Sequence, residues 1–524
     1  MAARVRRERE GAFLEYLGDR VDGSLFLRPT TPQEVEKLCR RLIPHKSMGW
    51  DEVSPRVIRM VALEISPSLS RLFNLCMRES HYPSFFKIAK VVPVFKGEDP
   101  TEFSNYRPVS VLPVLSQVFE RVLKERLVAF LEEKGVVTPG QYGFREGHST
   151  TMAILDMVER VRAAWGRSNV ALGVFIDLKK AFDTVDHRVL LAKLEHYGVR
   201  EEAHGLLADY LRDRWQYVVY GGAESERSKV ECGVPQGSVL GPLFFLIYVN
   251  DMVRVSRDLG FVLFADDTNL FAEGKDPVEL YRRVNVGLGE LDRWFRCNML
   301  TLNLKKTEYV YFSGPGRREG PPGTLRIGGE EVAWAEGVRF LGVWVDRRLS
   351  WVGHIQGVTV KVRQMLGIIG RASGVLDRGL LLSLYNGMVL PQLQYCLMVW
   401  GDFEACRNKT RGDALVRLQK RFVGLMAGRR GMYHADPLFA RFGVLKVGDL
   451  YRQQVRVHAW KFWNGRLPGS QAAMLQRVDE RHGHGTRAAR SGLAVGSVDH
   501  RAVGYRVPVE WGSLSGELRG IGRI

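Results

Sequence analysis

Three aspartates stand at the ends of strand-like segments of this sequence. Val170–Ile176 is an apolar run that stops at Asp177, and the adjacent Asp266 and Asp267 separate two short apolar segments further along the chain. The first pattern is typical of a buried strand, and the second predicts a β-hairpin with two carboxylates at its tip. Each aspartate taken alone could also be a turn residue, since Asp is common in turns.

Carboxylates delivered by two strand ends are what a two-metal site requires. Two divalent ions about 3.5–4 Å apart can activate an attacking hydroxyl and stabilise a leaving phosphate during an in-line displacement. Mg²⁺ fits such a site best, because it keeps waters and substrate oxygens and needs only a few carboxylates. Mn²⁺ prefers the same ligands and is the alternative. The three aspartates therefore point to phosphoryl transfer, provided that the fold brings them together.

The net charge is concentrated in one part of the chain. Of 524 residues, 76 are Lys or Arg and 58 are Asp or Glu, which gives a formal charge of +18. Residues 351–524 contain 26 basic and 11 acidic residues, whereas residues 1–350 contain 50 and 47. A strongly basic segment indicates a polyanionic partner such as nucleic acid, or else a surface that is merely solubilising.

The hydrophobic pattern predicts helices on both sides of a strand-containing centre. Residues 88–95 and 109–115 predict a hairpin with basic residues in its loop. A Gly/Pro-rich turn at 232–238 precedes an apolar helix, and residues beyond Trp351 have helical spacing with interspersed Lys and Arg. Residues 1–80 are also helical in pattern and form either a packed subdomain or a leader.

The cysteine spacing and the lengths of the apolar runs exclude several classes of protein. The six cysteines form no CxxC pair and no zinc-ligand cluster, so we expect reduced cysteines in the core. The longest apolar stretch, 239–249, is too short to span a membrane, and no apolar signal segment follows Met1. These features predict a protein of the nucleus or cytoplasm, with no transmembrane segment and no secretion.

Eight blocks of the sequence surround the aspartates in a definite order. They are KIAKVVPVFKG (87–97), NYRPVSVLP (105–113), QYGFREGHST (141–150), VFIDLKKAFDTVDH (174–187), GVPQGSVLGPLFFLIYVNDM (233–252), FADDTNLF (264–271), LDRWFRCNMLTLNLKKTE (291–308) and VRFLGVWVDRRLSW (338–351). In types and order these blocks resemble the reverse transcriptases of non-LTR (LINE-type) retrotransposons, particularly the jockey-like group. Three later segments, 383–401, 417–428 and 434–451, resemble the region that follows the polymerase blocks in that family.

The resemblance implies an α+β fold of the right-hand polymerase type. An antiparallel palm sheet bears the three aspartates, helical and hairpin fingers precede it, and a helical thumb with a basic extension follows it. The implied divisions are a helical N-terminal region over 1–76, fingers and palm over 77–346, a helical thumb and nucleic-acid-binding region over 347–465, and a basic Gly/Arg-rich tail over 466–524.

The resemblance also assigns roles at the metal site. Asp177, Asp266 and Asp267 are implied to be catalytic and to hold two Mg²⁺ ions, with the Leu178 backbone carbonyl completing a metal shell. Lys306 aligns with a lysine proposed to protonate the leaving pyrophosphate, and its alternative is an exposed lysine without a role.

Further residues are implied to contact the incoming nucleotide. Phe182 lies where the family places an aromatic ring under the sugar, so it selects dNTPs by excluding a 2′-hydroxyl, unless it is a core Phe. Lys96 and Arg107 bind the triphosphate, and Gln236 and Gly237 lie near the nascent base pair and the template. The block that contains Gln141, Phe144 and Arg145 faces the template in the family, and we assign it no chemistry.

The implied activity is RNA-directed DNA synthesis, in which dNTPs are added to the 3′-hydroxyl of a DNA primer on an RNA template, here the RNA of the element. Relatives usually carry an endonuclease before the polymerase, and the residues ahead of the first block are too few for one, so we expect this chain to lack it. The alternatives are a catalytically silent nucleic-acid-binding remnant and an RNA-dependent RNA polymerase, although Phe182 argues against the latter.

Overall fold

The computed structural model describes residues 11–97, 99–314, 320–429, 433–477, 493–494 and 502–514, so most of the tail predicted over 466–524 lies outside the described residues. The architecture is α+β, with two five-stranded sheets and surrounding helices. The strands are β1 (Ile88–Phe95), β2 (Tyr106–Val111), β3 (Val170–Ile176), β4 (Arg214–Tyr220), β5 (Ala223–Glu224), β6 (Ser228–Val230), β7 (Gly260–Phe264), β8 (Asp267–Gly274), β9 (Glu308–Phe312), β10 (Arg326–Ile327), β11 (Glu330–Glu331), β12 (Ala333–Trp334), β13 (Gly337–Phe340), β14 (Val343–Asp346), β15 (Gln476–Arg477) and β16 (Leu493–Ala494).

The helices lie before, between and after the strands. The α-helices are Pro32–Arg40, Pro55–Met60, Ala62–Arg78, Val114–Glu133, Thr150–Gly166, His187–His196, Glu201–Leu211, Gly241–Val249, Pro277–Cys297, Val352–Ala372, Arg378–Leu384, Leu390–Gln394, Leu397–Trp400, Lys409–Met426, Asp436–Phe442, Val447–Trp463, Gly469–Ala472 and Val503–Gly512. The 3₁₀ turns are Ala12–Tyr16, Ser84–Lys87, Phe103–Asn105, Ala181–Thr184 and Asn250–Arg254, and Tyr385–Val389 is a π-helical turn.

The central sheet has the strand order β12-β9-β3-β8-β7. Strand β3 lies in its middle and pairs antiparallel with both β8 and β9. The buried strand predicted over Val170–Ile176 is confirmed, as is the hairpin that contains Asp266 and Asp267. The sheet is not wholly antiparallel, because the two-residue edge strand β12 runs parallel to β9.

Hydrophobic cores cover both faces of the central sheet. Leu172 and Val174 of β3 belong to the core that contains the helices Gly241–Val249 and Pro277–Cys297. Ala171 belongs to the opposite core, which contains the helix Thr150–Gly166 and the C-terminal helices. Side chains of a strand alternate between faces, so an apolar run without interruption is the pattern that a strand covered on both sides requires.

The second sheet, called the outer sheet below, has the order β2-β1-β4-β5, with β6 also paired to β4. Strands β1 and β2 form the predicted hairpin, and β4 runs parallel to β1. The prediction that the second hairpin strand covers 109–115 is wrong at both ends, because β2 begins at Tyr106 and ends at Val111. Pro113 follows and caps the next helix, and a proline cannot donate to a strand ladder.

The N-terminal residues are a packed part of the fold. The helix Pro32–Arg40 begins after Thr31, whose side chain accepts a hydrogen bond from the Glu34 N–H. Arg126 of the helix Val114–Glu133 forms an ion pair of 2.8 Å with Glu34, which holds the pKa of that carboxyl below its usual range. Of the two alternatives for residues 1–80, the packed subdomain is confirmed for the described residues.

The cysteine prediction is correct in part. All six cysteines lie in the described part of the chain as reduced thiols, as expected, but Cys232 is exposed and Cys406 is only half-buried, so these two are not core residues. Both lie in segments outside regular helices and strands, where burial does not follow from a periodic pattern. Within the described ranges, no helix is both long enough and apolar enough to cross a membrane.

A buried ion pair lies behind the central sheet. The Lys193 Nζ donates to Asp251 Oδ1 at 2.5 Å and to the Tyr248 carbonyl at 2.6 Å, and both charged side chains have zero exposure. The Trp294 indole donates to the other carboxylate oxygen at 3.2 Å. The pair therefore connects the helices His187–His196 and Pro277–Cys297 through the segment that follows the apolar helix Gly241–Val249.

We expect Asp251→Ala to lower the free energy of unfolding by about 3–5 kcal/mol, because it leaves a buried ammonium group without a partner. The matched control is Arg282→Ala, which removes an exposed pair with Glu279 and should lower it far less, because water screens an exposed ion pair. Urea denaturation measures both values. Equal losses in the two variants would contradict a structural role for the buried pair.

Candidate active site

The pairing of β3 with β8 brings the three predicted aspartates to one end of the central sheet. Ile176 of β3 lies opposite Thr268 of β8, so Asp177 follows β3 beside the position where Asp267 begins β8. Asp266 lies in the two-residue turn between β7 and β8. The structure therefore brings Asp177 close to two residues that lie 89 and 90 positions later in the sequence.

The Asp177 carboxylate is oriented by a neighbouring turn. The Asn303 Nδ2 donates to Asp177 Oδ2 at 2.7 Å, and the Asn303 backbone N–H donates to the Asp177 carbonyl at 2.9 Å. Leu178, whose side chain is buried, forms an isolated antiparallel bridge with Leu302. These contacts fix the backbone that carries Asp177 and the Leu178 carbonyl, the two groups predicted to hold metal.

Negative charge accumulates at this end of the sheet. Asp266 and Asp267 expose surface to solvent, but the surrounding protein still desolvates them in part. Desolvation, followed by repulsion from Asp266 and Asp177, raises the pKa of Asp267 to about 6. Desolvation also raises the pKa of Asp266, and the repulsion from Asp177 acts in the same direction. The three carboxylates thus form one electrostatic unit.

The donor set fits a hard divalent cation. Carboxylate and carbonyl oxygens are the ligands that Mg²⁺ prefers, and a cation would relieve the repulsion that raises the pKa of Asp267. In the part of the chain that the structure describes, no three His, Cys, Asp or Glu side chains are grouped closely enough to hold a metal by themselves. Asp177, Asp266 and Asp267 would therefore hold Mg²⁺ together with the Leu178 carbonyl, water and substrate oxygens.

Lys96 and Arg107 supply positive charge opposite the aspartates. Both side chains are exposed, and their charges lower the pKa of Asp266, against the effect of desolvation. The two residues were predicted at the two ends of the hairpin loop. Lys96 directly follows β1, as predicted, but Arg107 is the second residue of β2 and pairs with Val94. The strand begins earlier than the sequence pattern indicated, so Arg107 is held more rigidly than a loop residue.

Phe182 lies in the 3₁₀ turn Ala181–Thr184, five residues after Asp177, and is half-buried. Its ring stacks on Phe245 with the centroids 4.7 Å apart, and Phe144 meets it edge-on at 6.3 Å. Phe245 belongs to the apolar helix that follows the Pro-Gln-Gly segment. Two aromatic neighbours hold the Phe182 ring in one orientation while leaving part of it accessible.

Gln236 and Gly237 join the outer sheet to the turn that contains Phe182. The Gln236 Nε2 donates to Asp183 Oδ1 at 2.8 Å, and the Gln236 carbonyl accepts from the Ser110 N–H of β2 at 2.7 Å. Gly237 has a φ of +131°, and a Cβ there would lie 2.3 Å from the Ser110 carbonyl, so only glycine fits. A cavity of about 500 Å³ opens beside this junction.

Lys306 lies in the turn after Asn303, and its backbone N–H donates to the Asn303 carbonyl at 3.0 Å. Its side chain is exposed and has no acidic partner among the described residues. The structure thus places Lys306 in the turn that orients Asp177, without a contact that distinguishes a catalytic lysine from an exposed one.

Sequence reasoning missed two residues that contact the catalytic segments. Asn303 belongs to the block that also contains Lys306, and Gln141 belongs to the QYGFR block. The side-chain oxygen of Gln141 accepts from the Ala265 N–H at 3.1 Å. The presence of both residues in these blocks was the only signal. Nothing in their local pattern indicates a hydrogen bond to residues more than 120 positions away.

The raised pKa of Asp267 predicts a pH-dependent stability. A carboxyl whose folded-state pKa is raised binds its proton more tightly in the folded protein, so stability falls as the pH rises from about 4 to about 6. We therefore expect Asp267→Asn to match the wild type near pH 3.5 and to be more stable above pH 6 in buffer with EDTA. Chemical denaturation across this range measures the difference.

The control for this pH dependence is Asp258→Asn, which changes an exposed carboxylate that pairs with Arg283. It should gain no stability as the pH rises. If Asp267→Asn is no more stable than the wild type at pH 7.5, the folded protein neither desolvates the Asp267 carboxylate nor exposes it to repulsion from Asp266 and Asp177.

The comparisons with known proteins concern the region that contains the three aspartates. Residues 96–345 match the family model described as "Reverse transcriptase (RNA-dependent DNA polymerase)". The chain is 28% identical to the "RNA-directed DNA polymerase from mobile element jockey" of Drosophila melanogaster, over 85% of this chain and 50% of that protein. It is also 28% identical to the "Probable RNA-directed DNA polymerase from transposon X-element" of the same species, over 72% of this chain and 42% of that protein.

A third relative is the "Retrovirus-related Pol polyprotein from type-1 retrotransposable element R1" of Bradysia coprophila, 28% identical over 75% of this chain and 39% of that protein. The chain thus spans about half the length, or less, of these relatives. The family resemblance inferred from the eight blocks is confirmed. Residues 96–345 are therefore similar to a reverse transcriptase domain, and the chain aligns with polymerases of mobile elements such as jockey.

Proposed function

We propose that this chain is an RNA-directed DNA polymerase that adds dNTPs to the 3′-hydroxyl of a DNA primer by two-metal nucleotidyl transfer. The observation that carries the proposal is the group of Asp177, Asp266 and Asp267 at one end of the central sheet, with Lys96 and Arg107 facing it. The template is RNA, and the RNA of the mobile element itself is the template that we expect in the nucleus or cytoplasm.

The proposed architecture is a right hand. The central sheet is the palm, and the outer sheet with the helices around it forms the fingers. The helices from Val352–Ala372 to Val447–Trp463 form the thumb. This division is supported by the position of the aspartates on the central sheet and of the two cationic residues on the outer sheet.

Asp177, Asp266 and Asp267 hold two Mg²⁺ ions in this proposal, with the Leu178 carbonyl as a further ligand. The bound ions supply positive charge that activates the primer hydroxyl and stabilises the leaving pyrophosphate. Asn303 orients Asp177 by its hydrogen bond of 2.7 Å, so this carboxylate does not have to reorganise when metal and substrate bind. A bound cation would lower the pKa of Asp267 from about 6 and would thus keep this carboxylate fully ionised at neutral pH.

Lys96 and Arg107 bind the triphosphate of the incoming nucleotide. Arg107 can donate two parallel hydrogen bonds to a phosphate, whereas Lys96 acts as a point charge. Both side chains are exposed and close enough to Asp266 to lower its pKa, so a triphosphate between the hairpin and the aspartates would meet cations on one side and metal ions on the other. Neutralisation of phosphoryl charge is the larger part of such catalysis.

Phe182 lies under the sugar of the incoming nucleotide and excludes a 2′-hydroxyl. Its stacking on Phe245 supports this role, because a ring that cannot move aside discriminates between substrates that differ by one hydroxyl. Gln236 and Gly237 contact the nascent base pair and template from the loop that joins the outer sheet to the Phe182 turn. Lys306, which lies in the turn whose Asn303 orients Asp177, protonates the leaving pyrophosphate in this proposal.

The basic C-terminal region binds the template–primer duplex. In the helix Lys409–Met426, Leu415 and Phe422 are buried, whereas Arg417, Lys420 and Arg421 are exposed. One face of the helix therefore packs in the core while the other presents cations to solvent. This arrangement suits contacts with phosphates along a duplex, which are independent of sequence and weaken as salt increases.

The proposal is tested by primer extension on poly(rA)/oligo(dT) with Mg²⁺ and dTTP. We expect the wild type to extend the primer and Asp266→Ala to lose at least about 10³-fold in rate, because a metal site supplies several kcal/mol of transition-state stabilisation. Binding of the labelled duplex should change little. The control Asp258→Ala, which removes an exposed carboxylate paired with Arg283, should keep the wild-type rate.

Two outcomes would contradict the proposal. A wild-type protein that binds the duplex but adds no nucleotide is the catalytically silent remnant. Extension that is unchanged in Asp266→Ala would show that the activity comes from another source.

The proposed role of Phe182 predicts a change in sugar selection. Phe182→Val should lower the ratio of kcat/KM for dTTP to that for UTP by about 10- to 200-fold, the range that a steric pocket contributes. The control is Phe175→Val, which removes a half-buried ring that packs against Phe340 in the opposite core. Single-nucleotide incorporation kinetics measure the ratio. An unchanged ratio in Phe182→Val would exclude its role under the sugar.

A further inference from the structure

The segment Gly140–Gly143 runs along the free edge of the central sheet, beside β7. The Leu263 N–H donates to the Gly140 carbonyl at 2.8 Å, and the Tyr142 N–H donates to the Leu263 carbonyl at 2.8 Å. Gln141 and Leu263 form a parallel bridge. The segment thus extends the sheet by one residue pair, just before the turn that carries Asp266 and Asp267.

Glycines allow this segment to approach β7 and the catalytic turn. A Cβ on Gly140 would lie 2.8 Å from the Phe261 carbonyl oxygen, and a Cβ on Gly143 would lie 2.3 Å from the Ala265 nitrogen. Contacts this short are backbone contacts that cannot relax by rotation of a side chain. The spacing of the two glycines on either side of Gln141 therefore matches the close packing against β7.

Gln141 connects the segment to the catalytic turn through its side chain, which is 1% exposed. Its Oε1 accepts from the Ala265 N–H at 3.1 Å and from the Gly143 N–H at 2.8 Å, while its Nε2 has no hydrogen-bond partner among the described residues. Ala265 directly precedes Asp266 and has a φ of +57°, a conformation that is uncommon for a residue with a side chain. A buried acceptor is the group needed to hold this N–H in place.

We propose that Gln141 is a positioning residue that sets the conformation of the Ala265–Asp267 turn and thereby places Asp266 and Asp267 for metal binding. This inference rests on the proposed polymerase function. Among the described residues, no hydrogen bond joins the Gln141 side chain to either carboxylate, so it acts on them through the backbone of Ala265. A shift of the turn moves the carboxylates relative to Asp177, whose position is fixed independently by Asn303.

The test is Gln141→Met, which keeps the side-chain length and removes the acceptor. We expect kcat for primer extension to fall about 10- to 100-fold, the loss that a displacement near 1 Å causes. The Mg²⁺ concentration for half-maximal rate should rise several-fold, because misplaced carboxylates bind metal less well. The KM for dTTP and the affinity for the duplex should stay within about twofold, since Lys96, Arg107 and the basic helices are unchanged.

The matched control is Gln419→Met, which also changes a fully buried glutamine. The Oε1 of Gln419 accepts from the Val447 N–H at 2.9 Å, and its Nε2 donates to the Leu445 carbonyl at 2.9 Å. Both partners are far from the aspartates in sequence, and Val447 belongs to the opposite core. It should lower the thermal midpoint at least as much as Gln141→Met does, and leave both kcat and the Mg²⁺ requirement unchanged.

The inference is overturned if Gln141→Met keeps the wild-type kcat and Mg²⁺ requirement, or if Gln419→Met changes them equally. If Gln141→Met does not fold, Gly143→Ala decides, because its Cβ displaces the same turn, and an unchanged Mg²⁺ requirement in that variant also overturns the inference. These failures differ from a failure of the proposed function, in which the wild type itself does not extend the primer.

Discussion

Repulsion among Asp177, Asp266 and Asp267 is the constraint on which the rest of the structure depends. The register of β3 and β8 brings the carboxylates to one end of the sheet, and partial desolvation together with their mutual repulsion raises the pKa of Asp267 to about 6. Carboxylates that repel one another and are partly desolvated are typical of sites where a function requires their negative charge. Neighbouring groups offset this repulsion in part. The Asn303 amide donates to Asp177, and the charges of Lys96 and Arg107 lower the pKa of Asp266.

Burial of apolar side chains stabilises the fold and offsets the local repulsion among the aspartates. The central sheet is covered by one core on each face, so β3 and β8 cannot separate without exposing apolar side chains on both sides. The buried Lys193–Asp251 pair connects the helices behind the sheet. Lys193 and Trp294 each donate a hydrogen bond to one of the two carboxylate oxygens of Asp251. The strands that carry the aspartates are therefore held rigidly, as a site that binds metal ions needs.

The two sheets are connected at the place where substrate would lie. Gln236 joins the turn of Phe182 to β2 through Asp183 and Ser110, so the ring, the cationic hairpin and the aspartates are parts of one continuous structure. The basic helices of the C-terminal region pack against the opposite face of the central sheet through their own core. Negative charge at the three aspartates, with the positive charges of Lys96 and Arg107 near Asp266, suits the phosphoryl transfer that we propose.

The sequence by itself determined the elements and the residue types of the site. The apolar run before Asp177, the hairpin around Asp266 and Asp267 and the helical spacing after Trp351 are local patterns, and local patterns report which residues are buried. The ordered blocks identified the family. Only the tertiary structure decided which groups support the aspartates: Asn303 is 126 residues from Asp177, and Gln141 is 124 residues from Ala265. Hydrogen bonds over such separations depend on strand register and packing, which no local pattern of residues encodes.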